Sequence, residues 1–203
     1  MLGVILCGGD SSRMGKDKGL IPATGQNLAT ENWAALAVEK MATLGVRVVL
    51  SVNERQLATY ASVFPRDLLV PDDPTLSVKG PLAGLLSIHR QTPLEDLFVL
   101  ACDLPLMEPV LLQALFSRRS VRTDAQAYLY TMDGEPEPLC GIYTAAGLDL
   151  ITGLYRAKRL VRHSMKYALE QLDVDSLAVP EDKKGCFENF NYPSGSEGDI
   201  ISA

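Results

Sequence analysis

The sequence predicts an α/β protein with three layers, α/β/α, in which a mostly parallel central sheet is covered by helices on both faces. Short continuous apolar runs, the mark of strands buried on both sides, recur along the chain. Stretches with apolar residues at helical spacing alternate with them, and glycines and prolines fall at the junctions. Strand and helix in regular alternation is the pattern of βαβ units, whose strands run parallel.

Leu2 to Cys7 is the first strand, closed by Gly8-Gly9. The spacing of Trp33, Leu36, Ala37, Met41 and Leu44 predicts a helix over 27–44 with Gly45 as its stop. Residues 46–53 form the second strand, 54–63 are weakly helical, and Asp67 to Pro71 make a short third strand before Asp72-Asp73-Pro74. Pro81 sits where a helix begins, with Leu82, Leu85, Leu86 and His89 on one stripe. Leu97 to Asp103 is the clearest central strand, ending on a carboxylate two residues before Pro105. Further on, 108–118 is helical, 125–132 and 138–143 are two strands flanking an acidic turn, and helices follow near 145–155 and 162–172. One domain over 1–193 with a frayed tail at 194–203, rich in Ser, Gly and acid, is the expected organisation.

Composition narrows the function. With 47% hydrophobic and 22% charged residues the 203-residue chain is of ordinary globular make-up, which excludes a disordered or fibrous protein. It has neither an apolar run of the ~20 residues that span a bilayer nor the basic start of a signal peptide, so a soluble cytoplasmic protein with no membrane partner is expected. A net charge of -6 argues against nucleic-acid binding, which needs a broad basic face. The four cysteines are far apart and the two histidines isolated, so neither a zinc site nor a disulfide framework is expected, and Cys7 and Cys102 read as small fillers at buried strand ends.

Any anion must therefore meet a local basic site, and the loop after the first strand supplies one. Gly8, Gly9 and Gly15 permit close backbone approach, Ser11 and Ser12 add hydroxyls, and Arg13, Lys16 and Lys18 reverse the charge of an acidic chain. In an open α/β sheet, ligands bind beyond the carboxyl ends of the strands, which is where this loop lies. Singly, each residue would read as part of a solvated loop; together they read as a phosphate cradle, Arg13 a planar fork and Lys18 a point charge. It is no Walker A motif, because Gly9 and Gly15 enclose five residues and Lys16 is followed by Asp17 instead of a hydroxyl. The Gly-x-Gly-x-x-Gly of dinucleotide folds is missing too.

The run Leu6-Cys7-Gly8-Gly9-Asp10-Ser11-Ser12-Arg13-Met14-Gly15-Lys16-Asp17-Lys18 resembles the signature loop of nucleotidyltransferases, most closely that of the molybdenum cofactor guanylyltransferases. Three later segments extend the resemblance in order. These are Gly80 to Gly84, Ala101 to Pro105 and Glu137 to Tyr143, and Phe187 to Pro193 then matches an Asn-x-Asn-x-Pro segment near the pterin side. Gln26 to Trp33 departs from the family's usual Lys/Arg-Pro-Leu helix start.

The resemblance implies a Rossmann-like nucleotidyltransferase fold and transfer of GMP from GTP to the terminal phosphate of molybdopterin, or Mo-molybdopterin, with release of pyrophosphate. It implies Mg2+ at Asp103 and catalytic roles for Arg13, Lys18 and Asp103. Nucleotide contacts are implied for Leu6, Cys7, Gly8, Gly9, Ser12, Gly15, Pro81, Leu82, Ala83 and Gly84, with Asn189 and Asn191 on the pterin side. It favours Asn53 and one of the two aspartates Asp72 and Asp73, with Asp72 taken first, as readers of guanine or ribose. As ordinary turn residues these three need no ligand. Molybdenum-insertion and molybdoenzyme maturation proteins are the further partners it suggests. The Cys7-Gly8-Gly9 start resembles the guanylyl enzymes more than the Ala-Ala-Gly of cytidylyl ones. The competing readings are a molybdopterin cytidylyltransferase, a sugar-phosphate nucleotidyltransferase, and a non-catalytic nucleotide-binding or cofactor-carrier protein. The basic stretch Lys158, Arg159, Arg162, His163 and Lys166 reads as a solvated helix face.

Overall fold

The computed structural model describes residues 1–8, 17–23 and 32–190. Seven strands form one sheet in the order β3-β2-β1-β4-β6-β5-β7. The strands are β1 (Leu2–Leu6), β2 (Arg47–Val52), β3 (Leu69–Pro71), β4 (Leu97–Ala101), β5 (Ala127–Met132), β6 (Glu135–Tyr143) and β7 (Val174–Ala178). β1 pairs in parallel with β2 and β4, β2 with β3 and β5 with β7, while β6 runs antiparallel to β4 and β5. The sheet is thus mostly parallel, as the alternation of elements predicts.

Side chains alternate across β1 and so divide the core. Ile5 and Cys7 join Leu50, Val52, Phe98 and Leu100 under α1 (Trp33–Ala42) and α4 (Pro109–Val121). Leu2, Val4 and Leu6 join Val49, Leu97 and Val99 on the opposite face, under α3 (Pro81–Gln91) and α5 (Ala145–Arg156). α2 (Leu57–Ala61) packs by its buried Tyr60 in the first cluster and α6 (Met165–Leu169) lies in the second. This is the expected three-layer arrangement.

Several boundaries differ from expectation for local reasons. The first helix begins at Trp33 because Asn32 caps it, its side-chain oxygen accepting from the Ala35 N–H at 2.9 Å; residues 24–31 lie outside the described set. The third strand is trimmed by a 3-10 turn over Arg66–Leu68. The last helix is cut to Met165–Leu169 by a Ser164 cap. β6 starts earlier than its prolines suggest, yet β4 pairs with it only from Cys140, so Pro136 and Pro138 stand on an edge that needs no N–H donors. β7 and the 3-10 turn Glu181–Phe187 were not expected. Arg118 of α4 ties β7 in place through a two-pronged pair with Asp175, at 2.6 and 3.0 Å. The proposed tail lies outside the described residues.

Gly84 marks the closest approach of α3 to the sheet. A Cβ there would collide with the Ser51 hydroxyl and come within 3.3 Å of the Ser51 Cβ, and Ser51 is 2% exposed with nowhere to withdraw. Gly84→Ala is therefore expected to cost about 1–3 kcal/mol by overpacking, measured by urea unfolding. Repeating it in a Ser51→Ala background is expected to halve the penalty; an equal penalty in both backgrounds would assign the cost to something other than this contact.

Candidate functional site

Register fixes the site. Leu6 lies level with Ser51 of β2 and Ala101 of β4, so the chain leaves all three strands at the same height. Cys7 and Gly8, then Asn53, then Cys102 and Asp103 follow in adjacent positions. The Cys7 N–H donates to the Ser51 carbonyl at 3.0 Å and the Cys102 N–H to the Leu6 carbonyl at 3.1 Å, prolonging the ladders by one step. Asp72 joins the same edge through its N–H on the Val52 carbonyl at 2.9 Å.

At this edge Lys18 meets Asp103, Nζ to Oδ2 at 3.1 Å, with side chains 23% and 19% exposed. Two of the three expected catalytic residues are thereby brought together across 85 positions of sequence. The third, Arg13, lies outside the described residues, as do Gly9, Ser12, Gly15 and Asn191. Two unit charges ~4 Å apart at an effective dielectric of ~20 attract by ~4 kcal/mol, and the cost of removing both from water offsets most of that. The pair acts chiefly by fixing two charged ends beside each other.

Asp17 anchors Lys18. It caps the 3-10 turn Lys18–Leu20, its Oδ1 accepting from the Gly19 N–H at 3.1 Å and from the Tyr60 hydroxyl at 2.7 Å. Its Oδ2 accepts from the side-chain amide of Gln56. Tyr60 is fully buried; that burial first, and the neighbouring Cys7 and Cys102 thiols next, push its hydroxyl far above the ordinary tyrosine range, so it stays a donor. Cys102 is held protonated too, by its hydrogen bond with Cys7 and by its own burial. Both cysteines are buried fillers, as their sequence positions suggest, and the Cys102 thiol is not an ionised nucleophile at neutral pH.

Asn53 and Gln56 bond reciprocally: the Gln56 N–H donates to Asn53 Oδ1 at 3.1 Å and the Asn53 N–H to Gln56 Oε1 at 2.9 Å. Among the described residues nothing bonds the Asn53 side-chain amide nitrogen, so it can donate to a ligand. The two aspartates after β3 differ. Asp73 is committed to its own turn and to Arg90, accepting from the Thr75 N–H at 2.8 Å and pairing with Arg90 at 2.6 Å. Asp72 has no side-chain partner among the described residues, and its partial burial pushes its carboxyl up to about 6. Of the two, Asp72 is the one the geometry leaves for a ligand.

In the Gly80 to Gly84 segment, Leu82 and Ala83 bury their side chains in the core and Gly84 faces Ser51. What this segment can offer a ligand is backbone at a helix start that has no side-chain cap. The C-terminal segment returns to the same edge: the Phe190 N–H donates to the Asp103 carbonyl at 3.1 Å and its ring packs edge-on against Trp33, centroids 6.0 Å apart. Asn189, exposed, is thus placed next to the end of β4. The basic stretch after α5 is spent elsewhere, Lys166 on Glu135 at 2.9 Å and Arg162 over the Tyr167 ring at 5.9 Å.

No cluster of three or more His, Cys, Asp or Glu side chains suited to a metal occurs among the described residues. A lone strand-end carboxylate fits a hard cation that keeps its waters and takes its other ligands from substrate phosphates. Asp103 Oδ1, unlike Oδ2, has no partner among the described residues. Sequence reasoning missed Asp17, Gln56 and Tyr60 as structural parts of the site. Asn53-x-x-Gln56 has the spacing of a capping box and was the available signal; the role of Tyr60, from a weakly helical stretch, had none.

Because desolvation raises Asp72, its ionised form is disfavoured in the fold. Its penalty is absent below the unfolded value near 3.8 and grows as pH rises through about 6. Asp72→Asn is expected to add about 1 kcal/mol at pH 8, discounted for partial exposure, and nothing at pH 4. Thermal melts across that range check it.

Comparisons with known proteins agree with this geometry. Residues 3–174 match the family model of the MobA-like NTP transferase domain. A Geobacillus sp. protein named a probable molybdenum cofactor guanylyltransferase is 29% identical over 207 aligned positions, covering 100% of this chain and 98% of that one. A Synechocystis sp. molybdenum cofactor biosynthesis bifunctional protein is 30% identical over 95% of this chain, which spans 52% of its length. In fold, the crystal structure of molybdopterin-guanine dinucleotide biosynthesis protein A from Archaeoglobus fulgidus superposes with a TM-score of 0.72 at 22% identity, over 95% of this chain and 93% of that one. A nucleotidyltransferase sheet, a charged pair at its carboxyl edge and a match over most of the length all lead to one assignment: the chain belongs to the MobA-like NTP transferase domain family.

Proposed function

We propose that this nucleotidyltransferase moves GMP from GTP to the terminal phosphate of molybdopterin or Mo-molybdopterin and releases pyrophosphate. The observation that carries the reading is the Lys18–Asp103 pair at 3.1 Å, at the strand end where a nucleotide's phosphates would lie. The name of the relative matched over 98% of its length, a probable molybdenum cofactor guanylyltransferase, supports the choice of acceptor and base. Molybdenum-insertion and molybdoenzyme maturation proteins are the proposed further partners, and the cytoplasm the proposed place; among the described residues no helix is long and apolar enough to cross a membrane.

An oxygen of the acceptor phosphate attacks the α-phosphorus of GTP, forming a new P–O–P link. The bond from the α-phosphorus to the bridging oxygen of the β-phosphate breaks, and its electron pair leaves with pyrophosphate. The acceptor is already anionic, so no side chain has to act as nucleophile or take a proton. Catalysis is then positioning and charge neutralisation. Asp103 is the residue that would hold Mg2+, and Mg2+ bound there would supply Lewis-acid neutralisation of the phosphate oxygens. Lys18, released from Asp103 Oδ2 as the phosphates enter, balances charge on the phosphate chain. Arg13 takes the leaving pyrophosphate. The Asn53 amide and Asp72 carboxylate recognise the nucleoside.

The test is pyrophosphate release by purified protein with Mg2+ and molybdopterin, run with GTP, CTP, UTP and ATP in parallel. Release with GTP is expected to exceed that with the others. Asp103→Ala is expected to lose ~100-fold or more with the thermal melt retained. Faster release with CTP would overturn the base, release without molybdopterin the acceptor, and full activity of Asp103→Ala the metal assignment.

A further inference from the structure

Gln56 makes more contacts than a helix cap requires. It is 9% exposed, and its side-chain amide uses both ends. Oε1 accepts from the Asn53 N–H at 2.9 Å, while Nε2 donates to the Cys7 carbonyl at 2.9 Å and to Asp17 Oδ2. These partners fix the amide's orientation, since Cys7 offers only an acceptor there and the Asn53 N–H only a donor. One side chain therefore bonds the end of β1, the end of β2 and the cap of the turn that carries Lys18.

We infer that Gln56 is the positioning residue that sets Lys18 and Asn53 against one another across the nucleotide site, through its bonds to Asp17, Cys7 and Asn53. The inference rests on the nucleotide-binding reading of this edge. From Asn53 the chain of bonds runs through Gln56 to Asp17, and Asp17 caps Lys18–Leu20. Lys18 then reaches Asp103. The nucleoside end after β2 and the phosphate end on the Lys18–Leu20 turn, 35 positions apart in sequence, are held by one amide. Tyr60 secures the other oxygen of Asp17 at 2.7 Å.

A glutamine is the residue this position requires. It must offer one acceptor and two donors from the same planar group, which Glu, Met and Leu cannot. A plain capping role would ask less. Glu serves in a capping box as well as Gln, so Gln56→Glu keeps the bond to Asn53, removes the donors to Cys7 and Asp17, and turns a carboxylate toward a carboxylate. Asp17→Asn in the same chain reverses the polarity of that contact: the amide introduced there keeps an oxygen for Tyr60 and Gly19 and presents an N–H to the carboxylate introduced by Gln56→Glu.

The experiment is calorimetric titration of GTP with Mg2+ into the full chain at a temperature where each variant is folded by circular dichroism. Gln56→Glu is expected to weaken binding 30-fold or more, and Asp17→Asn with Gln56→Glu to recover at least fivefold of that loss. A purely structural role lowers the melting temperature and leaves the affinity of the folded protein unchanged. The assignment is overturned by folded Gln56→Glu binding within threefold of the unaltered chain, or by a double variant no better than the single one. If Gln56→Glu does not fold, Gln56→Met, which has none of the three bonds and places no second carboxylate beside Asp17, carries the test, with a tenfold or greater loss expected and an unchanged affinity overturning the assignment. An unaltered chain that binds none of GTP, CTP, UTP or ATP in this titration overturns the nucleotide reading itself, an outcome separate from the first two.

Discussion

Every functional group described above depends on β1 lying in register between β2 and β4. Because Leu6 is level with both Ser51 and Ala101, three chains emerge from the sheet at one height, and residues 7, 53 and 103 become neighbours. That register follows from burial on two faces. A shift of one residue along β1 would exchange Ile5 and Cys7 with Val4 and Leu6 between the two halves of the core and leave each helix facing side chains of the wrong shape. The packing that stabilises the fold is thus also what aligns the site.

On this scaffold the site is assembled from bonds that individually contribute little. Net hydrogen bonds are worth ~1 kcal/mol each, and the Lys18–Asp103 pair is nearly balanced by its own desolvation. The value of such bonds is geometric. Asp17 accepts three donors, from Gly19, Tyr60 and Gln56, which leaves the Lys18 backbone little choice of path. Lys18 in turn holds a carboxylate ready beside it. The cations Arg13, Lys16 and Lys18, concentrated in one stretch of a chain of net charge -6, are expected to draw a phosphate to one place and not to the surface at large.

The sheet was legible in the sequence wherever strands are buried on both faces, as with Leu2 to Cys7 and Leu97 to Asp103, because nothing but a central strand needs such unbroken apolar runs. β7 was not legible: Asp175 and Ser176 interrupt it, and its place is set by Arg118 from a distant helix. The cations Arg13, Lys16 and Lys18 could be found from their concentration in one loop, and Asp103 from its strand-end position together with the family resemblance. Of their supports, Gln56 left only its capping-box spacing from Asn53, and Tyr60 left no signal, acquiring meaning only when α2 folds over Asp17. The choice between Asp72 and Asp73 was likewise hidden in sequence, and it rests on which carboxylate the Thr75 turn and Arg90 occupy.

The proposal on which the rest turns is that Asp103 holds a divalent cation in company with a nucleotide's phosphates and not without them. Calorimetric titration of GTP into the protein, once with Mn2+ in place of Mg2+ and once with a chelator and no metal, measures this most directly, by comparing the affinity for Mn2+·GTP with that for metal-free GTP. At least tenfold tighter binding of the metal complex is expected, with that difference abolished in Asp103→Asn. The same tenfold preference surviving in Asp103→Asn would contradict the account.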